Sequence, residues 1–305
     1  MRVLITGATG LVGTEITALC HDKGIKVNYL THSKDKLQKK ENFKGFYWNP
    51  DKGEIDSACL DGVGAIINLA GANIFQPWND NNKKKILNSR IDSLNLLYKT
   101  LRENEHEVGQ LISASAVGIY PSSKQKMHFE NEKEVSKSFL GNVVHQWEIA
   151  ADQFKELDLR VSKVRIGLVL SNEGGALPQM ERPIKYNVGT ALGSGIQWQS
   201  WIHIRDLARI FLHILEKGLT GVYNGVAPNP VTHQDLMEQL AKTMGKSLWL
   251  PKIPAFLLKA TMGEMSSVVL ESQLVSSKKI RETGFNFHYI NLQHAFKDLW
   301  NKKTD

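Results

Sequence analysis

The sequence has little cysteine. Its 305 residues include only two, Cys20 and Cys59, and neither lies in a cluster with metal-ligand spacing. This scarcity excludes a disulfide framework and argues against a bound metal. It also fits a reducing compartment, so we expect a cytoplasmic protein.

Long apolar runs and blocks of like charge are also missing. No stretch of 18 apolar residues occurs, and the opening run at residues 3–5 is too short for a signal-peptide core. We therefore expect no membrane association. The net charge of +7 is spread out, densest at residues 34–40 and 83–85, without a nucleic-acid recognition motif. These features favour a small-molecule substrate over nucleic acid, with a solvated basic surface or a rim for an anionic ligand.

Short apolar runs alternate with longer amphipathic stretches. The pattern predicts strands at residues 2–6, 26–30, 65–69, 110–114, 161–170 and 221–224. It predicts helices at residues 13–23, 83–103, 140–157, 204–216, 232–244, 255–270 and 292–301. Alternation of this length is typical of an α/β fold with a Rossmann-type doubly wound parallel sheet.

The composition of the chain changes beyond about Ser171, where glycine and proline become frequent and the segments between them become short and irregular. We expect a cofactor-binding domain over residues 1–170, to which a strand near 221–224 returns. Residues 171–305 would then form a smaller, mostly helical C-terminal substrate lobe.

A glycine-rich loop follows the first predicted strand. Gly7 permits a tight turn, Gly10 lets a pyrophosphate approach the backbone, and Gly13 lets the next helix pack on the strand. The free N–H groups of that helix would face the phosphates. A strand before the loop and a helix after it support this interpretation over a merely structural turn. The predicted dinucleotide-binding residues are Gly7, Thr9, Gly10, Leu11, Val12 and Gly13.

The end of the second predicted strand indicates which dinucleotide is bound. A site for NAD(H) usually places Asp or Glu there to accept a hydrogen bond from the ribose 2′-hydroxyl. Here His32, Ser33 and Lys34 follow Thr31 instead, with Lys36 as a further cation. A hydroxyl and a cation at Ser33 and Lys34 suit a 2′-phosphate, with His32 or Lys36 as helpers, so we predict NADP(H). The alternative is that these are simply exposed loop residues.

Three motifs together resemble an extended short-chain dehydrogenase/reductase: the loop at 7–13, Asn68-Leu69-Ala70-Gly71, and the run from Ser113 to Tyr120. More narrowly, the chain resembles the atypical branch described as epimerase family proteins, which is related to nucleotide-sugar epimerases and also labelled cell-division-inhibitor-like. The narrow resemblance rests on residues 89–93, 174–177, 192–195, 197–204 and 263–265. The last fifty or so residues resemble the small C-terminal domain of that branch.

The resemblance implies a role for each matching position. Leu69, Ala70 and Gly71 would pass beneath the dinucleotide. Ser113 would lie near the nicotinamide, and Ser115 matches the family's substrate-polarising hydroxyl.

The Tyr-x-x-x-Lys dyad of ordinary members is absent. By alignment Val144 and Glu148 occupy its two positions, and valine cannot exchange a proton. Three substitutes for the tyrosine stay open. Tyr120 could act, or simply pack over the cofactor. His203 could act, or serve only as a structural hydrogen-bonding group. Glu148 could act with His145, unless both are solvated.

Arg90 and Asp92 match the family motif and would bridge either to the pocket or to each other. Taken together, these features predict an NADP-dependent oxidoreductase or epimerase-like enzyme. Its substrate would be a small carbonyl or hydroxyl compound, handled without the usual dyad. The alternative is a non-catalytic NADP(H)-binding regulator or redox sensor. The sequence does not indicate an oligomeric state.

Overall fold

A computed structural model describes residues 1–301 of the chain. In chain order its strands are β1 (Arg2–Thr6), β2 (Lys26–Thr31), β3 (Lys39–Lys40), β4 (Phe43–Asn49), β5 (Glu54–Ile55), β6 (Ala65–Asn68), β7 (Gln110–Ala116), β8 (Met127–His128), β9 (Arg160–Ile166), β10 (Leu168–Leu170), β11 (Trp198–Gln199), β12 (Trp201–His203), β13 (Gly221–Gly225), β14 (Val231–Thr232) and β15 (Leu274–Val275). The α-helices are α1 (Leu11–Asp22), α2 (Asp80–Glu103), α3 (Phe139–Asp152), α4 (Ala176–Lys185), α5 (Ile204–Lys217), α6 (His233–Thr243), α7 (Ala255–Met262), α8 (Ser267–Leu270), α9 (Lys278–Glu282) and α10 (Leu292–Asn301).

The main sheet has the strand order β13-β9-β7-β6-β1-β2-β4-β3, and β5 pairs with β4. Strand β1 is parallel to both β2 and β6, so the chain reverses its direction of winding at β1. Strands β6 and β7 are parallel, as are β2 and β4, whereas the short β3 is antiparallel to β4. This order confirms the predicted Rossmann-type α/β fold.

The central strands are buried along nearly their whole length. Val3, Leu4 and Ile5 of β1 are fully buried, and Ile66 and Ile67 of the neighbouring β6 are fully buried as well. Continuous apolar runs of this kind are typical of parallel strands that are covered on both faces. Because the central strands are packed on both faces, the ends of β1, β6 and β7 are held in fixed positions.

The chain divides into two compact units. The first comprises residues 1–116, 142–165 and 208–223, and therefore holds most of the main sheet. The second comprises residues 117–141, 166–207 and 224–305. Within the described part of the second unit, an apolar core includes Trp201, Leu236 and Phe296. Three short strand pairs, β10–β12, β11–β14 and β8–β15, also belong to this unit.

Some predicted elements are interrupted at glycine. The strand predicted at 161–170 breaks at Gly167, where a Cβ would lie 2.0 Å from the Ser200 carbonyl oxygen. The helix predicted at 255–270 ends at Met262, because Gly263 adopts a φ of +57°. Both breaks reflect local backbone geometry that apolar periodicity does not report.

Strand β4 and helix α4 are the longest of the elements that were not predicted. Strand β4 lies beside β2, where Phe43 stacks on Tyr29 with ring centroids 4.3 Å apart. Helix α4 forms although Pro183 lies inside it. None of the helices within residues 1–301 has the combination of length and apolar character that crossing a bilayer requires.

Candidate functional site

The loop between β1 and α1 has the geometry of a phosphate cradle. Gly7 has a φ of +69°, and a Cβ on Gly13 would lie 2.1 Å from the Gly7 carbonyl oxygen. Helix α1 begins at Leu11, with Gly10 as its N-cap residue; no side chain caps it and its first turn holds no acid. The N–H groups of this helix end therefore stay available to an anion. These residues fit the pyrophosphate of a dinucleotide.

A buried hydrogen-bond chain joins the ends of β1, β6 and β7. The Thr6 hydroxyl donates to Asn68 Oδ1 at 2.8 Å and accepts from the N–H groups of Leu69 and Ala70, both at 3.0 Å. Asn68 Nδ2 then donates to Ser113 Oγ at 3.2 Å. Fully buried polar groups that are all hydrogen-bonded fix the local backbone. The chain sets the turn after β6 beside the glycine loop.

A cleft of about 770 Å³ opens along these strand ends. This volume lies in the range of small-molecule and cofactor sites. The predicted cofactor residues that line it are Gly7, Thr9, His32, Ser33, Ala70 and Gly71. The other lining residues are Leu30, Thr31, Lys36, Trp48, Pro50, Asp51, Ala72, Lys84, Lys85, Asn88, Ser89, Asp92 and Ser93.

The lysines beyond β2 differ in their relation to the cleft. Lys36 lines it, together with Lys84 and Lys85 from the first turns of α2. Lys34 is not a lining residue; its ammonium lies over the Tyr47 ring, 5.2 Å from the ring centroid. The lysines that line the cleft are therefore Lys36, Lys84 and Lys85.

Two carboxylates also line the cleft. Burial raises the pKa of Asp92, and the negative charge of Asp51 raises it further. Among the described residues no ion pair joins Asp92 to Arg90, so the mutual bridge considered for this pair does not form. Asp92 instead faces the cleft.

Arg90 lies beneath the turn that follows β6. Its Nη1 donates to the carbonyl oxygens of Ala72 at 3.2 Å and Ile86 at 2.8 Å. Its guanidinium carbon lies 5.0 Å from the centroid of the Trp147 ring. Burial lowers the pKa of Arg90 to about 10.

Ser115 and Glu148 are in direct contact. Ser115 Oγ donates to Glu148 Oε1 at 2.6 Å, and Glu148 is only 7% exposed. Arg165, in β9, reaches the same carboxylate with Nε at 2.8 Å and Nη2 at 3.0 Å, and Lys163 Nζ lies 3.7 Å from it. Burial acts to raise the pKa of Glu148. The hydrogen bonds and charge of Arg165, with Ser115 and Lys163, outweigh burial and hold that pKa below its usual value.

Of the two alternatives left open for Glu148 and His145, solvation of both does not hold, because Glu148 is buried. His145 is exposed, whereas Glu148 is enclosed by Ser115 and two cations of β9. Sequence reasoning missed those cations as its partners. The signal was present, since Lys163 and Arg165 are two residues apart on a predicted buried strand and so share one face.

Helix α3 contains neither tyrosine nor lysine between Phe139 and Asp152. The usual dyad is therefore missing from this helix in whatever register the helix is aligned. The residue that occupies the space beside Ser115 is a carboxylate that can only accept a hydrogen bond when ionised.

Tyr120 and His203 lie in the second unit. The Tyr120 hydroxyl donates to Asn224 Oδ1 at 2.7 Å, and its ring stacks on His128 with centroids 5.0 Å apart. His203 is fully buried, stacks on Tyr289 at 3.7 Å, and has Nε2 at 3.3 Å from Asp298 Oδ2. These contacts account for both side chains structurally, and their catalytic role stays a prediction.

The strand order and the glycine cradle define a Rossmann-type dinucleotide-binding protein. The comparison with known proteins narrows this class. The chain belongs to the NAD dependent epimerase/dehydratase family, which matches residues 3–225. Residues 253–299 match a separate domain of unknown function, DUF1731. Both matches confirm the resemblance to epimerase family proteins with a small C-terminal domain.

Similar proteins cover almost the whole chain. Epimerase family protein SH2119 of Staphylococcus haemolyticus is 37% identical over 301 residues, 98% of each chain. The crystal structure of human epimerase family protein SDR39U1 (isoform 2) with NADPH is 29% identical, with a TM-score of 0.84 and 99% coverage of both chains. A nucleoside-diphosphate sugar epimerase from Corynebacterium glutamicum is also 29% identical, with a TM-score of 0.78; the match covers 98% of this chain and 58% of that one.

Proposed function

We propose that the cleft binds NADP(H), and that the protein is an NADP-dependent oxidoreductase or epimerase-like enzyme for a small carbonyl or hydroxyl substrate. The observation that carries the choice of dinucleotide is the end of β2. No acid occupies positions 32–34, directly after Thr31, and Ser33 and Lys36 line the same cleft as Gly7. The similar human protein crystallised with NADPH supports the proposal.

Separate groups of residues would bind the cofactor and transfer the proton. The loop from Gly7 to Gly13 binds the pyrophosphate, and Ser33 with Lys36 binds the 2′-phosphate. When bound, the nicotinamide supplies hydride transfer at its C4. The single proton of Ser115 is donated to Glu148, so Ser115 accepts a hydrogen bond from a substrate hydroxyl. Glu148, which accepts this hydrogen bond at 2.6 Å, would receive the proton through Ser115.

A thermal-shift titration with NADPH and NADH tests the choice of cofactor. We expect NADPH to raise the melting temperature more than NADH at equal concentration. Lys36→Ala should remove most of that difference by weakening NADPH binding about ten- to a hundredfold, as the loss of one charge-assisted contact does. Lys34→Ala is the matched comparison and should weaken it less, since Lys34 does not line the cleft. Equal stabilisation by NADH and NADPH would contradict the proposal.

A second candidate is a protein that binds NADP(H) without turnover and acts as a regulator or redox sensor. The absence of tyrosine and lysine from α3 favours it, because no residue of that helix supplies the usual proton relay. The two candidates differ in whether hydride leaves the cofactor.

Hydride exchange separates them. Deuterium transfer from 4-deuterated NADPH to any member of a panel of aldehydes and ketones, reduced by Ser115→Ala, would support the enzyme. Tight binding of NADPH with no transfer, and no effect of Ser115→Ala on binding, would support the regulator.

A further inference from the structure

Arg90 is a cation without a counter-ion directly behind the wall of the cleft, next to the lining residues Ala72 and Ser89. Within residues 1–301 no carboxylate lies within ion-pair distance of it, and its acceptors there are the two carbonyl oxygens of Ala72 and Ile86. Both are bonded to the same nitrogen, Nη1. The donors on Nε and Nη2 have no acceptor in the described part of the chain. The Trp147 ring offers only a cation–π contact.

This arrangement is unusual for a partly buried charge. Buried cations are normally paired with an acid, because carbonyl dipoles and an aromatic face replace only part of the lost hydration. Arg165 in the same unit follows the rule, with both Nε and Nη2 on Glu148. The lowered pKa of Arg90 is the expected result of burial without a compensating negative charge.

The position of Arg90 points to the cleft. Gly71, Ala72 and Ser89 all line the cleft, and Arg90 contacts the first two and follows the third in α2. A Cβ on Gly71 would lie 2.9 Å from the guanidinium carbon of Arg90. Any other residue at position 71 would displace the guanidinium from its place against the cleft wall. Gly71 is thus required by Arg90 as well as by the close approach of a ligand.

We propose that Arg90 binds an oxyanion of the ligand in this cleft, through the donors on Nε and Nη2. The oxyanion would be a pyrophosphate oxygen of the dinucleotide or an acid group, carboxylate or phosphate, on the substrate. The inference rests on the proposed function in that the cleft is the ligand site. It adds a cation that recognises negative charge at the turn after β6, away from Ser33 and Lys36.

The experiment uses the full-length protein and compares Arg90→Met and Arg90→Lys with Arg102→Met, which removes an exposed arginine from the same helix. NADPH affinity is measured by isothermal titration. If the oxyanion belongs to the dinucleotide, Arg90→Met weakens NADPH about ten- to a hundredfold, Arg90→Lys recovers part of the loss, and Arg102→Met has no effect.

If NADPH affinity is unchanged, the NADPH-loaded proteins are titrated with inorganic phosphate and with oxalate while the melting temperature is recorded. A rise in the wild-type protein and Arg102→Met that is absent from Arg90→Met assigns the oxyanion to the substrate. Behaviour of Arg90→Met identical to that of Arg102→Met in both titrations overturns the proposal. Should the wild-type protein fail to bind NADPH, the proposed function fails, and the phosphate and oxalate titrations of the free protein still test Arg90.

A measurement on the wild-type protein covers the case in which Arg90→Met does not fold. Phenylglyoxal labelling read by mass spectrometry should modify Arg90, and NADPH, phosphate or oxalate should protect it, whereas Arg102 is labelled equally throughout. Absence of labelling at Arg90, or labelling that no ligand slows, contradicts an accessible oxyanion site.

Discussion

Replacement of Glu148 should destabilise the protein strongly, because this carboxylate pairs with the buried guanidinium of Arg165 through both Nε and Nη2. Arg165 is only 6% exposed, so water has little access to it once the carboxylate is removed, whereas Lys163 keeps Asp152 Oδ2 at 2.6 Å. Breaking a buried ion pair by removing one partner costs about 3–5 kcal/mol. The loss of stability for Glu148→Gln should lie at the lower end of this range, since its amide oxygen can still accept a hydrogen bond from Arg165. The loss for Glu148→Ala should lie at the upper end. At about 2 °C per kcal/mol for a chain of this size, the melting temperature should fall by roughly 6–10 °C.

Differential scanning calorimetry at pH 7 measures this change, with Glu156→Gln as the control. Glu156 is exposed, and its carboxylate accepts a hydrogen bond only from the Tyr98 hydroxyl at 2.9 Å among its recorded hydrogen bonds. Its replacement should stay within about 0.5 kcal/mol of the wild-type protein. A melting temperature for Glu148→Ala that matches the control would refute the reasoning. A double-mutant cycle with Arg165→Met adds a second check, since contacting residues should be non-additive by about 0.5–3 kcal/mol.

The lowered pKa of Glu148 also determines how the stability of the protein changes with pH. The pKa of Glu148 is lowered in the folded protein, so its contribution is fully present above the unfolded value of 4.5 and disappears as pH falls through the folded value. The gap in melting temperature between wild type and Glu148→Gln should therefore be widest above about pH 5 and should narrow below it. A gap that widens on acidification would mean that the carboxylate is protonated at neutral pH.

Two further predictions concern the glycine loop and the cysteines. Gly13→Ala should abolish NADPH binding or folding, because its Cβ would lie 2.1 Å from the Gly7 carbonyl oxygen, whereas Gly10→Ala, at 3.2 Å, should be milder; NADPH titration and circular dichroism distinguish the two. Burial raises the pKa of both Cys20 and Cys59 to about 12, with nearby carboxylates adding to the effect. Neither thiol should react with Ellman's reagent until the protein is unfolded, and one rapid equivalent in the native protein would contradict this.

The sequence predicted the framework of the fold because local signals there agree with the tertiary structure. Strand β1 and helix α10 have the predicted bounds, and the glycine loop joins its strand and helix as expected. The strand at Phe43–Asn49 was missed because lysines surround it and only part of it is buried. Its pairing with β2 is a long-range contact that periodicity does not report.

The residues proposed for the cofactor site are recognisable from short sequence motifs, namely the glycine spacing and the residues after β2. The partners of Ser115, in contrast, come from α3 and β9. Their contact depends on how these elements pack, and no spacing in the sequence encodes it. The same holds for Lys34 and Lys36, two residues apart in sequence, of which only Lys36 lines the cleft.

The contrast between Glu148 and Arg90 shows how charge balance separates a charge that is satisfied within the fold from one that is left for a ligand. The cations of β9 satisfy Glu148 within the fold, so its burial needs no ligand to explain it. Arg90 has only carbonyl oxygens and an indole face within the described part of the chain, next to residues that line the cleft. A charge that the protein leaves uncompensated beside a ligand site is stabilised when a ligand of opposite charge arrives. The negative charge that we propose for Arg90 would therefore belong to the ligand, and the Arg90 titrations identify its source.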